Sequence, residues 1–570
     1  MSFNRVIRGA VDPAQAQKYK ALGWWRDRTV VDDLLDHATA QPLKTAVISH
    51  HHDREPDTLT YAELAEWVDR FAGALLELGV RRGEVVSMQL PNWWQFVALH
   101  LACGRIGAVT NAILPILRRR EVSFICDRLR SRVLIVPRSF RGFDHAAMAA
   151  EVSAGLDTLE HVLAIDADGV GLPTGVRDFD RHFVHADWRG RHRETLAGPG
   201  PEPDTVAQVQ FTSGTTGEPK GVVHTWNTVY AGMRPSVEAV GLTSDDVVLA
   251  FSPLAHTVGF YYGITMPVSY GMTVVLQDLW DPRVALGLVR RHAVTWTMAA
   301  TPFIKDLCDA AEPEAAAMTL RRISCAGAPI PPSLVHQVQD ILNATLFSVW
   351  GMTEVGAVTS TLSSDDPLRA AETDGAAMAW NELAVLGPDG AEVPKGSVGR
   401  LGVRGASLLV GYHGRPDLFE AAFDAQGWFD TGDLARMDDA GYIRIAGRAK
   451  DIVVRGGENI PVVEVEAELV RHPGVRDVAL VGVPDERLGE RATAVVVPTD
   501  PAAPPNLGDL TGFLEEQGMA KHFWPEFLTV VPELPRTATG KIQKFRVREL
   551  AVDHKPAPDA PSTSIGEETP

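Results

Sequence analysis

Cysteine is scarce in this chain, and the few that occur form no metal-binding or disulfide pattern. Four cysteines are spread over 570 residues, and no two of them stand in a CxxC spacing. They indicate free, buried thiols in a reducing compartment, which favours the cytoplasm. His51 and His52 are adjacent but have no cysteine or acidic ligand close by, so we expect no zinc site there. The sequence positions are Cys103, Cys126, Cys308 and Cys325.

Long apolar runs and an excess of positive charge are also missing. No stretch approaches the about 18 uninterrupted apolar residues of a membrane-spanning helix, and the N-terminal segment lacks the apolar core of a signal peptide. The formal net charge of −19 argues against a broad nucleic-acid surface. Hydrophobic residues make up 45% and charged residues 22%, as in ordinary globular proteins. A chain of 570 residues is too long for one core, so we expect several domains.

Short apolar runs alternate with helical patterns along the first half of the chain. Apolar spacing behind a Thr60–Glu63 capping box predicts a helix over 59–80. A buried helix is predicted over 93–106, ending near Gly107, and strands are predicted at 85–90 and 133–137. This alternation is typical of α/β layering.

The later part of the chain divides into three stretches. Strands are predicted at 206–211, 222–224, 247–251, 273–276 and 294–298, and the glycine-rich stretch 380–415 fits a small β-rich subdomain. From about residue 450 the pattern restarts, with strands at 451–455, 477–483 and 492–497 and a helix at 461–472. We predict an α/β fold: a large N-terminal domain over 1–448 built of α/β layered subdomains plus a small β-rich subdomain. A small mobile α+β domain over 449–553 and a disordered tail over 554–570 follow it.

A loop rich in glycine and hydroxyl residues follows the strand at 206–211. Residues 211–221 read Phe-Thr-Ser-Gly-Thr-Thr-Gly-Glu-Pro-Lys-Gly, which does not match the GxxxxGK[ST] spacing of a Walker loop and so disfavours a GTPase. Small residues still allow backbone N–H groups and hydroxyls to approach phosphate oxygens closely, and Lys220 can add positive charge. The predicted phosphate loop consists of Thr212, Ser213, Gly214, Thr215, Thr216 and Gly217.

A second motif near the C-terminus places a lysine after a glycine. Residues 535–542 read Pro-Arg-Thr-Ala-Thr-Gly-Lys-Ile, and the alternative to a catalytic Lys541 is a surface lysine of a basic helix over 541–548. Because the two motifs are far apart in sequence, we expect them in different domains that meet over one substrate. The pair suggests an enzyme that activates its substrate with ATP.

Residues 211–221 resemble the phosphate-loop signature of the adenylate-forming superfamily, which includes acyl-CoA synthetases, luciferases and non-ribosomal adenylation domains. Further stretches match in the family's order from Leu59 to Ile542. The segment 350–354 resembles the family's aromatic-Gly-x-Thr-Glu motif, 327–329 its adenine-cradling turn, 428–433 its ribose-binding segment and 447–451 its interdomain hinge.

The resemblance implies a role for each matched residue. Lys541 would bridge the attacking carboxylate and the α-phosphate, where a fixed cation lowers the barrier to displacement of pyrophosphate. Glu354 would help hold Mg²⁺, which prefers oxygen ligands, and Lys450 would be the hinge pivot. The implied nucleotide-binding residues are Gly327, Ala328, Pro329, Trp350, Gly351, Met352, Thr353, Asp433 and Arg448, and the implied CoA-facing loop is Arg455, Gly456, Gly457 and Glu458.

The segment 253–259 resembles the acyl-CoA synthetase version of the substrate motif, so His256 would lie near the reacting carboxylate. No acidic residue occurs from Phe251 to Met272, and an unpaired buried ammonium group would be costly, which disfavours an amino-acid substrate. The implied wall of the acyl pocket is His256, Phe260, Tyr261, Met298, Ala299, Ala300 and Trp350.

Closer resemblance is to cyclohexanecarboxylate-CoA ligase-like and short- or medium-chain acyl-CoA synthetases. It implies an enzyme that joins a neutral carboxylic acid to CoA, consuming ATP with Mg²⁺ through an acyl-adenylate. The alternative is a stand-alone adenylating enzyme that loads a carrier protein in trans. Relatives have Pro-Gly where this chain has Trp380 and Asn381, so the loop at 374–385 is expected to differ. A non-enzymatic binding protein is disfavoured because Lys541, Glu354 and Asp433 are all present.

Overall fold

The computed structural model describes residues 13–165, 171–212, 219–311, 319–448, 453–455, 458–460, 462–485, 489–517, 519, 521–536 and 541–553. The chain divides into two compact units. The first comprises 1–397, 401–431 and 437–444, and the second comprises 398–400, 432–436 and 445–570. The predicted tail at 554–570 lies outside the described residues.

The helices begin and end at points that local sequence explains. Thr60 accepts a hydrogen bond from the Glu63 backbone at 3.2 Å and donates one back through its own backbone N–H at 2.8 Å, which confirms the predicted capping box. The helices are α1 Pro13–Ala21, α2 Val30–Ala40, α3 Tyr61–Glu77, α4 Trp94–Ile106, α5 Arg119–Leu129, α6 His145–Ser153, α7 Arg193–Ala197, α8 Trp226–Val240, α9 Thr257–Phe260, α10 Met266–Tyr270, α11 Pro282–His292, α12 Thr301–Ala310, α13 Pro332–Leu342, α14 Arg369–Glu372, α15 Pro416–Glu420, α16 Val462–Leu469, α17 Leu507–Glu516 and α18 Lys544–Asp553. The described residues also contain the π-helical turns Asp180–Val184 and Tyr261–Thr265 and the 3₁₀ turn Lys521–Phe523.

The strands fall close to the predicted stretches, and Val133–Pro137 has the predicted bounds. They are β1 Thr45–His50, β2 Asp57–Thr60, β3 Val85–Met88, β4 Val109–Ala112, β5 Val133–Pro137, β6 Ser139–Phe140, β7 Phe143–Asp144, β8 His161–Ile165, β9 Val176–Asp178, β10 Val206–Thr212, β11 Lys220–Thr225, β12 Val247–Ala250, β13 Thr273–Gln277, β14 Trp296–Ala299, β15 Arg322–Ala326, β16 Thr345–Met352, β17 Gly356–Ser360, β18 Ala376–Ala377, β19 Asn381–Leu386, β20 Gly399–Gly405, β21 Gly411–Tyr412, β22 Phe429–Met437, β23 Ile443–Arg448, β24 Val453–Arg455, β25 Glu458–Ile460, β26 Val475–Asp485, β27 Gly489–Pro498 and β28 Phe527–Val530.

Two large mixed sheets form the first unit, as far as the described residues go. The first has the order β18-β17-β16-β15-β14-β12-β13-β1-β2, and its strands from β16 to β1 run parallel. The second has the order β21-β11-β10-β4-β3-β5-β8-β9, with β10 to β9 parallel and β11 antiparallel to β10. A short four-stranded sheet, β19-β20-β22-β23, follows them along the chain, and the hairpin β6-β7 stands apart.

The main core of the first unit contains side chains from both large sheets and from the helices between them. Phe71 of α3, Phe96 of α4 and Met233 of α8 pack into one cluster with residues of β3 and β13. Helix α4 is buried all round, as its continuous apolar sequence predicts, and it ends at Gly107 with φ of +72°. The mixed α/β fold class is therefore confirmed.

The second unit is built on a smaller sheet. Its order is β25-β24-β27-β26, with β28 added to β27, and apolar residues of α16 and α17 pack on it.

All four cysteines are buried and unpaired, as predicted. Within the described part of the chain, no helix combines the length and the apolarity needed to cross a membrane.

The C-terminal helix begins later than the sequence alternative placed it. Helix α18 starts at Lys544, not at Lys541. Ile542 forms an antiparallel bridge with Arg536, and the Gln543 N–H donates to the Pro535 carbonyl at 2.8 Å. Because this pairing holds the backbone extended, the helix does not include Lys541, and the alternative of a basic helix that begins at Lys541 is wrong.

Candidate active site

The parallel strands of the nine-stranded sheet end at one edge, and three predicted segments lie there. Gly327 follows β15, the segment from Trp350 closes β16, and His256 follows β12. Carboxyl ends of parallel strands are where α/β proteins bind ligands. Gly327 has φ of +91°. The Thr301 hydroxyl donates to the Ala328 and Pro329 carbonyls at 3.4 and 3.3 Å, and these hydrogen bonds hold the exposed turn against α12.

The predicted phosphate loop connects the two strands of a hairpin. Strand β10 ends at Thr212 and β11 begins at Lys220, and these two half-buried residues are register partners across the pair. Ser213, Gly214, Thr215, Thr216 and Gly217 lie outside the described residues. The structure therefore establishes the two ends of the loop.

Tyr412 connects two of the predicted catalytic residues. Its hydroxyl donates to Glu354 Oε1 at 3.1 Å, and the Lys220 ammonium lies 4.9 Å from the centroid of its ring. Burial and the neighbouring Glu354 carboxylate raise the pKa of Tyr412, so the phenol stays protonated and remains a donor. Strand β21, which carries Tyr412, pairs with β11, so the hairpin itself brings these residues together.

The turn between β16 and β17 holds Glu354 in place. A side-chain carbon on Gly351 would collide with the Gly356 carbonyl, so only glycine fits where the two strands approach each other. The Leu409 N–H donates to the Glu354 backbone carbonyl at 2.7 Å. Glu354 itself is 7% exposed. Trp350 and Met352 are half-buried beside it. A buried carboxylate that accepts a hydrogen bond from Tyr412 thus lies on this edge of the sheet.

His256 caps the start of α9, and the residue after it, Thr257, hydrogen-bonds to polar side chains of other elements. Its Nδ1 accepts a hydrogen bond from the Val258 N–H at 3.4 Å. The next residue, Thr257, has its hydroxyl 3.0 Å from Gln210 Oε1 and 3.1 Å from the Thr353 hydroxyl. Since Gln210 lies on β10, these contacts tie the strand before the phosphate loop to the edge of the other large sheet.

The predicted acyl-pocket residues are mostly buried. Phe260 and Tyr261 are fully enclosed, Met298 and Ala299 end β14, and Ala300 and Trp350 are half-buried. Tyr261 lies against α8 and β17, where side-chain carbons on Gly232 or Gly356 would press on its ring. The wall is therefore closely packed around an aromatic residue.

The second unit carries the remaining predicted residues. Arg448 pairs with the buried Asp433 carboxylate at 2.9 Å, and Arg455 pairs with Glu526 at 3.3 Å. Lys541 is exposed just before the bridge at Ile542. Lys450, Gly456, Gly457 and the side chain of Glu458 lie outside the described residues.

Comparison with known proteins decides the family. Residues 34–413 match the model for AMP-binding enzymes, and residues 464–541 match the model for the AMP-binding enzyme C-terminal domain. The chain belongs to the AMP-binding enzymes. The resemblance to the adenylate-forming superfamily is thereby confirmed, and the protein is an AMP-forming ligase.

Several relatives of this AMP-binding enzyme span nearly its whole length. It is 35% identical to the medium-chain fatty-acid–CoA ligase of Escherichia coli, over 96% of this chain and 94% of the relative. It is 33% identical to the salicyl-AMP ligase / salicyl-S-ArCP synthetase of Mycobacterium tuberculosis, over 94% of each chain. The ATP-bound MatB of Rhodopseudomonas palustris superposes with a TM-score of 0.78 at 26% identity, covering 92% of this chain and 99% of that one.

Sequence patterns missed several polar residues of this AMP-binding enzyme's site. Tyr412 contacts Glu354, and Thr257 contacts Thr353 and Gln210, through bonds between distant parts of the chain. Tyr412 and Gln210 stand outside the matched motifs, and Thr257 stands in the 253–259 segment without having been singled out. Tyr412, on the strand next to the one that leaves the phosphate loop, could have been found only from the pairing of β11 with β21.

Proposed function

We propose that this AMP-binding enzyme is an ATP-dependent acyl-CoA synthetase, an acid–thiol ligase. A carboxylate oxygen attacks the α-phosphorus of MgATP, the bond to the β-phosphate oxygen breaks, and pyrophosphate leaves an acyl-adenylate. The thiol of CoA then attacks the acyl carbon, AMP departs with the carboxylate oxygen, and the thiol proton is released.

The contact of Lys220, Tyr412 and Glu354 carries this proposal. It places one cation and one oriented carboxylate at the end of the phosphate hairpin. Among the described residues, no three His, Cys, Asp or Glu side chains gather into a metal cluster. A lone carboxylate fits Mg²⁺ that arrives with ATP, since this ion binds one or two protein carboxylates together with phosphates and waters.

The remaining residues take the roles that the family motifs give them. Thr212 to Gly217 bind the phosphates, the turn at 327–329 and Trp350 to Thr353 bind adenine and phosphate, and Asp433 with Arg448 binds the ribose. Lys541 stabilises the adenylation transition state, and the loop 455–458 faces CoA. We assign 1–448 to the adenylation domain and 449–553 to a mobile domain that turns about Lys450.

The acid that we propose has no positive charge on its acyl body. Phe260, Tyr261 and Met298 form a buried wall, and no acidic residue occurs from 251 to 272 to meet an ammonium group. A short- or medium-chain or alicyclic acid fits this wall, with His256 beside the reacting carboxylate. We also propose a cytoplasmic location, because the four cysteines are unpaired.

A carboxylate panel tests the proposal. Pyrophosphate and acyl-CoA would be measured with acids from acetate to dodecanoate, cyclohexanecarboxylate, benzoate and several amino acids, each with and without CoA. We expect acyl-CoA from a neutral acid and a loss of about 10²–10³ in rate for Glu354→Gln. Arg283→Gln, which changes an exposed residue of α11, is the control. Absence of carboxylate-dependent pyrophosphate from every acid would refute the proposal.

A second candidate is adenylation followed by transfer to a carrier protein. The Mycobacterium tuberculosis relative, 33% identical, is named for salicyl-S-ArCP synthesis, which favours this alternative. The first half-reaction is the same in both. Carboxylate-dependent pyrophosphate without acyl-CoA in the same panel would decide for the carrier.

A further inference from the structure

Three polar side chains form a hydrogen-bonded relay from the phosphate hairpin to the turn that carries Glu354. Gln210 of β10 stands two residues before Thr212 and is 3% exposed. The Thr257 hydroxyl lies 3.0 Å from Gln210 Oε1 and 3.1 Å from the Thr353 hydroxyl. Because Thr257 is buried and Thr353 is half-buried, the relay leads outward from the core of the first unit.

The backbone at both ends of the relay is held in place. Gln210 is the register partner of Ala112 on β4 and of Val222 on β11. At the other end, the His224 Nε2–H donates to the Thr353 carbonyl at 2.8 Å. Burial lowers the pKa of His224 to about 4, so its ring is neutral near pH 7. What remains variable in the relay is the direction of the hydroxyl protons and the orientation of the Gln210 amide.

A count of protons fixes the direction of the relay as the structure has it. A hydroxyl group has a single proton to donate, and an amide oxygen only accepts. Thr257 therefore donates to Gln210 Oε1, and Thr353 must donate to Thr257. In this inward state the Thr353 hydroxyl offers only lone pairs to the site. An ionised phosphate oxygen also only accepts, so the two groups cannot form a hydrogen bond.

Turning the Gln210 amide over reverses the relay. Nε2 then donates to Thr257, Thr257 donates to Thr353, and the Thr353 proton points outward, where a phosphate oxygen can accept it. No group in the described part of the chain bonds to Nε2 in the present orientation. Within that part, the turn therefore costs no hydrogen bond other than the one to Thr257, which the turned amide replaces.

We infer that Gln210 is a positioning residue for ATP, which decides through Thr257 whether the Thr353 hydroxyl donates into the core or to a phosphate oxygen. This inference rests on the proposed function, from which it takes the contact between Thr353 and phosphate. ATP binding selects the outward state. Glutamine suits this position because its amide can either accept from the same neighbour or donate to it.

Gln210→Glu tests the inference, because a carboxyl group donates a hydrogen bond only when it is protonated. The KM for MgATP would be measured by pyrophosphate release from about pH 6 to about pH 9, a range that includes the raised pKa of buried glutamates. With the carboxyl ionised, Thr353 donates inward and the KM should exceed that of the wild type at the same pH about tenfold. With the carboxyl protonated, its O–H donates to Thr257 and the KM should return to the wild-type value.

Thr257→Val is the matched control, because valine has nearly the shape of threonine but passes on no hydrogen bond. Gln210→Glu should therefore leave the KM for MgATP unchanged when it is made in the Thr257→Val variant. An increase that persists in the double variant would show that the carboxylate acts on the phosphates by its charge, and would overturn the inference. A Gln210→Glu enzyme with the wild-type KM at every pH would overturn it too. An increase that Thr257→Val abolishes supports it, whether or not it varies with pH.

Gln210→Met decides if the glutamate variant does not fold. Methionine has no donor and only a weak acceptor, so Thr257 donates to Thr353 and the inward state no longer competes with ATP binding. The KM for MgATP should fall about twofold or more, and an unchanged or raised KM would overturn the inference. A wild-type enzyme without carboxylate-dependent pyrophosphate release would overturn the proposed function and the inference with it, whereas the other contrary outcomes overturn the inference alone.

Discussion

His224 should make the first unit sensitive to mild acid. The residue is fully buried, its Nε2 lies 2.8 Å from the Thr353 carbonyl, and its Nδ1 lies 3.0 Å from the Thr228 hydroxyl. Burial lowers its pKa to about 4, whereas the same histidine in an unfolded chain titrates near 6.5. Between about pH 4 and pH 6.5, His224 is therefore neutral in the folded protein and protonated in the unfolded chain.

The sign of the effect follows from where the proton binds. Between about pH 6.5 and 4 the unfolded chain takes up a proton that the folded chain does not, so acid favours unfolding. The stability is fully present above about 6.5 and is lost as the pH falls toward about 4. For these two pKa values, His224 alone should lower the free energy of unfolding by about 2 kcal/mol between pH 8 and pH 5.

Other buried histidines also make the free energy of unfolding depend on pH. The contribution of His224 is therefore obtained by comparing a variant without this histidine with the wild type. Burial also lowers the pKa of His100 and of His145. Urea unfolding of the wild type and of His224→Gln would be measured at pH 8 and pH 5. Glutamine keeps an N–H for the Thr353 carbonyl but cannot titrate. The variant should lose about 2 kcal/mol less stability than the wild type between the two pH values.

An exposed histidine provides the control. His336→Gln, on the exposed side of α13, should lose as much stability on acidification as the wild type. If His224→Gln and the wild type lose equal stability between pH 8 and pH 5, the assignment of a lowered pKa to His224 is refuted.

Three further changes have definite expected results. Trp380 has φ of +73°, so Trp380→Gly should be about 1 kcal/mol more stable in urea unfolding than Trp380→Ala; equal stabilities would contradict this. Asp433→Asn should raise the KM for ATP about tenfold in pyrophosphate release, because it weakens both the pair with Arg448 and the proposed ribose contact; an unchanged KM would count against that role. Lys541→Ala should slow adenylation by about 10²–10³ while acyl transfer from supplied acyl-adenylate persists, and equal losses in both steps would rule out its assignment to adenylation.

Local sequence determined the elements whose causes are local. The capping box at Thr60, the glycine that ends α4 and the apolar strand 133–137 each depend on a few adjacent residues, and the structure has all three. The alternative that placed Lys541 inside the C-terminal helix is wrong because the bridge between Arg536 and Ile542 overrides helical propensity. That bridge depends on pairing across a turn, which residue spacing does not reveal.

In the candidate site, too, residues in local motifs were predicted, whereas residues brought together by strand pairing were not. The motifs indicated Lys220 and Glu354, but not the tyrosine that joins them, because Tyr412 is 58 residues from Glu354. The buried side chains of Gln208, Thr110 and His224 are equally hidden, since single polar residues inside apolar strands have no signature. Only the register of three strands shows that they are neighbours.

The unusual loop at Trp380 can be placed relative to the site through α8. Trp380 has φ of +73°, which residues other than glycine rarely adopt, so the backbone of this turn is distinctive. Trp380 stacks on Trp24 with ring centroids 6.3 Å apart, and lies 6.2 Å from Tyr230 of α8. Gly232, which lies against Tyr261 of the predicted acyl pocket, is two positions further along the same helix. Two positions correspond to about 200° around a helix. The loop at Trp380 therefore packs on the side of α8 opposite to Tyr261, which we propose as part of the acyl-pocket wall.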